Sequence, residues 1–521
     1  MTREIPIGIK LLRAIQSACF PSVNINSHVW YRVGIFTLTF LSYTCYHASR
    51  KPISVVKSYF NQSCQNMTPP PDLDANDTTW CDWAPFYGPD AGTLLGTLDS
   101  AFLFAYAAAM FVSGFIAERM SLRYFLTAGM ITSGIYCYLF GIAHKLEIHF
   151  VWYYILVQMF GGIVESSGWP GVVAVMGNWY GGNRRGLIMG IWNSHTSVGN
   201  IFGTLVAAKM LNYDWGYSFM VPGVIIAGMG LINFLFLVEH PADVGLSSDT
   251  PEPPPPLYQP SASSDHLDDS ASSDTELLPE AERTHTRSYT KGDEKRPSTT
   301  SNSDEAPIGI SEALWIPGVV EFSLCLFFAK LVCYTFMYWL PYYISASTTF
   351  SSELSADVST IFDVGGIAGG IFAGALTDYT GKSATVCSGM LIISIPLMFV
   401  YSSYGSHSME LNVILLALVG FFVNGPYALI TTAVSAELGT HPSLEGNSKA
   451  TATVTALIDG TGSIGAAIGP LLAGAIFITG WQNVFYSLIA ANLFALLMLL
   501  RILFREWRRS LPRSLIDQQV M

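Results

Sequence analysis

Residues 197–219, SVGNIFGTLVAAKMLNYDWGYSF, reappear in altered form at 463–485, SIGAAIGPLLAGAIFITGWQNVF. A constant step of 266 carries Ser197 to Ser463, Gly199 to Gly465, Gly203 to Gly469, Leu205 to Leu471, Ala207 to Ala473, Trp215 to Trp481 and Phe219 to Phe485. Small residues spaced along an apolar run let a neighbouring backbone approach where lipid supplies no apolar driving force between helices. Each copy therefore reads as a membrane helix that packs through its glycines, followed by the aromatic start of the next. A second correspondence, at a step of 260, joins Gly114 and Glu118 of GFIAERMSLR (114–123) to Gly374 and Asp378 of GALTDYTGK (374–382), with Arg119 and Lys382 as the bases. Parallel halves with a midplane site between them are the pattern of a secondary transporter.

Composition agrees with a chain built for lipid. Half of the 521 residues are apolar and only 12% are charged, and the mean hydropathy is positive, which together exclude an ordinary water-soluble domain. Stretches of about 20 apolar residues predict helices near 32–57, 93–117, 124–144, 150–175, 186–209, 217–238, 314–345, 355–377, 384–403, 411–436, 449–475 and 481–504. The fold class expected is an all-α membrane protein with twelve transmembrane helices in two six-helix pseudo-repeats. Residues 1–238 form the first half, with a luminal loop at 58–92, and residues 312–504 form the second, followed by a tail at 505–521.

Orientation follows from the basic residues. Arg3, Lys10 and Arg13 precede the first span, Arg119 and Arg123 follow the second, Arg184 and Arg185 follow the fourth, and Arg505, Arg508, Arg509 and Arg513 close the chain, so both termini are expected in the cytosol. The first apolar run is too long for a cleaved signal and is expected to remain as a span. The opposite-face loop carries sequons at Asn61, Asn66 and Asn76, which is consistent with a glycosylated compartment. Cys64 and Cys81 share that loop and are a candidate disulfide; the alternative is two free thiols. The remaining segment, 239–311, carries PEPPPP at 251–256 and cannot bury a core, so a disordered linker is expected. From Glu239 to Glu305 it holds 15 acids against 5 Lys or Arg, and that −10 dominates the whole-chain charge of −12. The acidic balance thus says nothing about a substrate. DTELLP at 274–279 has the form of an acidic di-leucine sorting signal, a form that also arises by chance in such composition.

The chemistry-bearing positions are the charges that apolar spans should not hold. In YHASRKP (46–52), Arg50 falls near the end of the first span. An arginine at membrane depth costs at least about 2.5 kcal/mol unless it faces water, an anion or a carboxylate. Its planar fork suits two phosphate oxygens. Tyr43, Tyr46 and His47 lie one or two turns back on roughly the same face, able to hydrogen-bond phosphate or sugar, whereas Lys51 points elsewhere on the helix and is a further candidate ligand. The bland alternative is a structural pair with an acid such as Asp99. Lys330, Tyr334 and Tyr338 form an i, i+4, i+8 stripe on the seventh span, where a second cation and two hydroxyls point one way. Glu165 and Asp459 are embedded acids, read as partners of Arg50 or Lys330 when no anion is bound. No metal-ligand cluster, Walker loop or nucleophile elbow is present in the sequence, so neither catalysis nor a metal or cofactor is expected, and no nucleic-acid partner; the partners expected are small solutes and the lipid bilayer.

The paired acid and base at 114–123 and 374–382 resemble the cytosolic signature of the major facilitator superfamily, which implies a gating role for Glu118, Arg119, Asp378 and Lys382. YHASRKP (46–52), GWPGVVAVMGNWYGGNRRGLIMGIWNSHTSVGN (168–200), KLVCYTFMYWLP (330–341), NGPYALITTAVSAELGTH (424–441) and IDGTGSIGAAIGPLLAG (458–474) are similar to the eukaryotic sugar-phosphate exchangers of the organophosphate:phosphate antiporter family. The resemblance spans essentially all twelve helices. It implies antiport of inorganic phosphate against a sugar phosphate, glucose 6-phosphate above all, in the endoplasmic-reticulum membrane. The alternatives are another organic anion such as glycerol 3-phosphate, a sensor or scaffold on the same fold, and an endolysosomal or plasma-membrane residence. By resemblance Arg50 is the phosphate-binding arginine. The second arginine of bacterial relatives falls at Cys333, leaving Lys330 to supply that charge, and their second-helix lysine falls at Met110. His195 lies one residue before their substrate-contacting histidine. An empty cavity with Arg50 and Lys330 uncompensated is the expected reason for exchange.

Overall fold

The computed structural model describes residues 5–19, 27–61, 81–88, 90–117, 119–180, 185–246, 310–439 and 448–510. Asn66, Asn76, Cys64, Glu118, most of the 239–311 segment and 511–521 lie outside the described residues. Those described form eighteen α-helices: α1 (Ile7–Cys19), α2 (Ser27–Arg50), α3 (Pro52–Phe60), α4 (Ala91–Ala117), α5 (Leu122–Lys145), α6 (Val151–Glu165), α7 (Gly168–Trp179), α8 (Arg185–Asn193), α9 (His195–Leu211) and α10 (Trp215–Phe236) in the first half, then α11 (Ile310–Leu314), α12 (Val319–Ser347), α13 (Ser352–Thr380), α14 (Ser383–Tyr404), α15 (Met409–Leu429), α16 (Ser435–Gly439), α17 (Ser448–Ile476) and α18 (Trp481–Ser510) in the second. Among the described residues, nine helices are each long and apolar enough to cross a membrane.

The other three crossings, expected as single helices at 32–57, 150–175 and 186–209, are each two helices end to end: α2 with α3, α6 with α7, α8 with α9. Local chemistry accounts for the breaks. Pro52 has no N–H to give to the turn before it and its ring crowds that carbonyl. The Ser166 and Ser167 hydroxyls donate to Ile163 O at 2.7 Å and Val164 O at 2.8 Å, and Ser194 Oγ donates to Ile191 O at 2.7 Å, so serines occupy carbonyls that regular helix would use. The first two breaks adjoin buried charges described below, and Asn193 and Ser194 at the third line the cavity, as irregular backbone inside a membrane protein must be buried in protein or line a cavity.

The repeat seen in sequence is also a repeat of packing. A Cβ on Gly199 would stand 2.5 Å from Thr44 O, and one on Gly203 would stand 2.5 Å from Ala48 O, so α9 lies backbone to backbone on α2. In the second half Gly465 would meet Phe327 O at 2.0 Å and Gly469 would meet Leu331 O at 2.4 Å, which puts α17 on α12 in the same way. The 283-residue step from Thr44 to Phe327, and from Ala48 to Leu331, also carries His47 to Lys330 and Arg50 to Cys333.

The halves meet closely at one end of the bundle, where α4 begins and α17 ends. A Cβ on Gly96 would stand 2.9 Å from Pro470 O and 3.3 Å from Gly474 Cα. Deeper in the same seam, Ser100 Oγ donates to Ala467 O at 2.8 Å. A cavity lies between α8 and α9 of the first half and α13 and α15 of the second. Short α1 packs Gly8 against Phe236 at the end of α10 and leaves Ile7, Leu11, Leu12 and Ile15 exposed. With Lys10 and Arg13 on the same short helix, that is the pattern of a helix lying in the membrane interface.

Candidate functional site

Arg50, Lys51 and Lys57 at the first helix break and Lys330 within α12 are buried cations. Arg50, the last residue of α2, directs Nε to Glu165 Oε2 at 2.5 Å, and Ser49 Oγ donates to Glu165 Oε1 at 2.8 Å. Glu165 is the last residue of α6, so two helix ends meet in this ion pair, and both side chains are essentially without solvent. The guanidinium lies over the Tyr106 ring at 4.7 Å and near Phe102 at 5.7 Å. Its Nη2 is buried and has no hydrogen-bond partner. In the second half Lys330 Nζ donates to Asp459 Oδ1 at 2.8 Å and reaches Ser463 Oγ at 3.4 Å. Gly462 makes room for it, since a Cβ there would be 2.9 Å from Lys330 Cδ. The Lys330 ammonium stands 5.9 Å from the centre of the Tyr427 ring.

The pairing of Glu165 and Asp459 with these cations, read from sequence, is present, each within its own half, and the expectation that an empty cavity leaves both cations uncompensated is thereby corrected. Burying a lone charge costs several kcal/mol, and a partner at hydrogen-bond distance offsets much of it. The carboxylate beside Arg50 is Glu165; Asp99, the alternative weighed from sequence, is instead ion-paired with Lys57.

Lys57 and Lys51 form a second group, which joins the halves. Lys57 Nζ donates to Tyr338 O at 3.1 Å and lies 4.3 Å from the Trp339 ring centre. Lys51 Nζ donates to Met337 O at 2.9 Å. The Met337 carbonyl comes free because Pro341, four residues on inside α12, has no N–H to return to it. Lys57 was missed in the sequence because it marks the very end of the span assigned to 32–57.

The cavity encloses about 860 Å³, solvent at its mouth included. His47 and Tyr334 lie on its wall, exposed Asp378 lies at its mouth, and Cys333 is also on the wall. Arg50, Lys330, Tyr46, Lys51, His195 and Tyr338 are buried but are not part of the wall in this conformation. Arg50 lies against the Tyr106 ring, itself off the wall, and Lys330 lies near Tyr427, which faces the cavity. Tyr46 bonds Ser167 Oγ at 3.0 Å. His195 packs its ring 4.5 Å from Trp192 and 4.7 Å from Tyr43, with Nε2 unpartnered. Arg119 and Lys382 occupy the turns that follow α4 and α13. Among the described residues, no three His, Cys, Asp or Glu side chains converge as a metal centre would need.

On the cavity wall lies a polar relay that sequence reading overlooked. His47 Nδ1 is 3.2 Å from Asn200 Oδ1, and Asn200 Nδ2 donates to Asp363 Oδ1 at 2.9 Å, crossing from the first half to the second. Asp363 sits in an apolar span, so the rule that drew attention to Arg50 would have found it; it was passed over among the glycines of 365–374.

Comparison with known proteins agrees with this architecture. The family model described as Major Facilitator Superfamily matches residues 39–443 and 322–516. The glucose-6-phosphate exchanger SLC37A2 of Bos taurus is 52% identical over 491 residues, covering 93% of this chain and 97% of that protein. The protein of the same name from Homo sapiens is 52% identical over 490 residues, covering 93% and 95%. The glucose-6-phosphate exchanger SLC37A1 of Homo sapiens is 44% identical over 558 residues, covering 99% of each. Among solved structures, a bacterial homolog of the human lysosomal transporter Spinster, inward-facing and unoccupied, matches with a TM-score of 0.56 at 14% identity, covering 91% of this chain and 96% of that one, a likeness of fold alone. Twelve crossings in two repeats that pack alike, together with about half of all residues shared along nearly the whole chain, establish that this chain belongs to the sugar-phosphate exchanger family of the major facilitator superfamily.

Proposed function

We propose that the chain exchanges inorganic phosphate for a sugar phosphate, glucose 6-phosphate foremost, by alternating access of its two halves. The observation that carries this reading is the pair of buried cations, one per half, with Arg50 Nη2 left without a partner. A phosphoryl group carries about −1.5 to −2 charges near neutrality, and it offers acceptors to that free N–H₂ group and, in place of the long contact to Ser463 Oγ at 3.4 Å, to the Lys330 ammonium. The names of the relatives support the sugar phosphate as the counter-substrate. Nothing in this reading alters the covalent bonds of the ester.

Because both cations are already neutralised, bare charge does not forbid the empty carrier from reorienting. Obligatory exchange then rests on the bonds between halves. Lys51 to Met337 O, Lys57 to Tyr338 O and Asn200 to Asp363 each span the seam, and a bound anion that draws Arg50 and Lys330 toward the cavity supplies replacement contacts as these break. Asp378 and Lys382, with Glu118 and Arg119, are assigned to the gate at the mouth.

The proposed residence is the endoplasmic-reticulum membrane with both termini cytosolic. Cys81 is disulfide-bonded and the six other described cysteines are free thiols, which supports Cys64 as its partner. Asn61, directly after α3, and the sequons at Asn66 and Asn76 then face the lumen; loss of all three should remove a glycan-dependent shift on a gel. The decisive experiment is counterflow into phosphate-loaded proteoliposomes with a panel of labelled phosphate esters. Uptake of glucose 6-phosphate that requires internal phosphate is the expected result, and an inert carrier toward every ester overturns the reading.

A further inference from the structure

We propose that Asp363, Asn200 and Asn424 form a hydroxyl-binding subsite that takes the sugar portion of the transported ester and sets the carrier's choice among organic phosphates. The inference rests on the sugar-phosphate reading above and extends it from the phosphoryl group to the rest of the substrate.

Each of these side chains lies on the cavity wall. Asp363 Oδ1 accepts from Asn200 Nδ2 at 2.9 Å, which leaves the second carboxylate oxygen available to a ligand. Asn424 Nδ2 is buried and has no hydrogen-bond partner. A buried amide left unsatisfied calls for an explanation, and a ligand acceptor in the cavity supplies one. The backbone beneath it is shaped to the same end. Gly366 lies one turn beyond Asp363 on α13, and a Cβ there would stand 2.6 Å from Asn424 Nδ2, so any side chain would push the amide aside. Gly370 and Gly374 continue this face along the wall.

Donor and acceptor chemistry matches a polyol. A carboxylate oxygen accepts from hydroxyls, and the two amides offer N–H groups to hydroxyl or ring oxygens. The same carboxylate repels a phosphoryl dianion, so the ester is oriented with its hydroxyls toward Asp363 and its phosphoryl group toward Arg50 and Lys330. Asn200 belongs to the first half and Asp363 and Asn424 to the second, so a sugar held by all three draws the halves together. Inorganic phosphate has no carbinol hydroxyls and leaves this subsite unused.

The test uses the full-length protein in proteoliposomes and measures two reactions side by side, phosphate against phosphate and glucose 6-phosphate against phosphate. In Asp363→Asn and in Asn424→Ala the ratio of sugar-phosphate to phosphate exchange should fall by about ten-fold or more, the scale of one hydrogen bond lost between the site and a substrate hydroxyl. With the wild-type protein, at least one deoxy analogue of glucose 6-phosphate should be taken up correspondingly less well, and that penalty should vanish in Asp363→Asn. If both exchanges fall together in Asn424→Ala, which breaks no bond between halves, or if no deoxy analogue is penalised, the subsite is refuted and the Asn200–Asp363 contact is only a tie between halves. Wild-type protein that exchanges phosphate but no sugar phosphate would instead refute the underlying functional reading.

Discussion

A single guanidinium illustrates how much one residue can carry. Arg50 has a carboxylate on one side, two aromatic rings on its face and one N–H₂ group facing nothing. Arg50→Ala should abolish phosphate exchange, and Arg50→Lys should recover little, since an ammonium lacks the planar fork. Arg50→Ala also strands Glu165, at a cost of about 3–5 kcal/mol for a buried charge left alone. The Arg50→Ala, Glu165→Gln double variant should therefore recover folded yield without recovering counterflow. Lys330→Ala should impair exchange comparably and Cys333→Ala should not. Cys333 is the pseudo-repeat equivalent of Arg50 and faces the cavity, so Lys330→Ala with Cys333→Arg should restore measurable counterflow. Robust transport by Lys330→Ala alone would end the two-cation account. From the sequence, Arg50 and Lys330 were legible because cations are anomalous in apolar runs; that both lie off the cavity wall, against the rings of Tyr106 and Tyr427, was not, since ring orientation depends on neighbouring helices.

At the scale of the element, glycine has two distinct employments in one helix. On α13, Gly365 and Gly369 face α15, where a Cβ would stand 2.1 Å from Ala417 O and 2.0 Å from Phe421 O. Gly366, Gly370 and Gly374 face the cavity. The stretch GIAGGIFAGAL at 366–376 reads in sequence as helix packing alone, because only a neighbour's position separates the two faces. The contrast is testable. Gly465→Val should cost much folded protein, since its Cβ would meet the backbone of Phe327. Gly374→Ala meets nothing within 4 Å, and should hold or raise thermal stability by roughly 0.5–1 kcal/mol through lower unfolded-chain entropy. Size-exclusion profiles and melting curves in detergent distinguish the two; equal behaviour would undo the packing assignment.

For the whole molecule, the closed end is the feature that alternating access must open. Gly96 of α4 and Gly474 of α17 approach closely there. Ser100→Cys with Ala467→Cys, positions that already carry a Cβ and meet across this seam, should cross-link under mild oxidation and stop exchange, and reductant should restore it, because a carrier locked at one end cannot complete its cycle. Exchange that continues through a complete cross-link would contradict rocking of the halves at this seam. Lys51 and Lys57, which donate to carbonyls of α12 in the turn before Pro341, are the polar bonds that must break in the same motion.

By itself the sequence determined the membrane class, the twelve crossings, the two repeats and the two cations of the site. Each of these is a local or periodic signal: apolar length, small residues at a constant step, a charge where lipid forbids one. Tertiary structure decided which acid neutralises which cation, and that His47, Asn200 and Asp363 join across the halves. Those outcomes depend on side chains more than a hundred residues apart arriving within about 3 Å, and no spacing along one helix encodes the position of another.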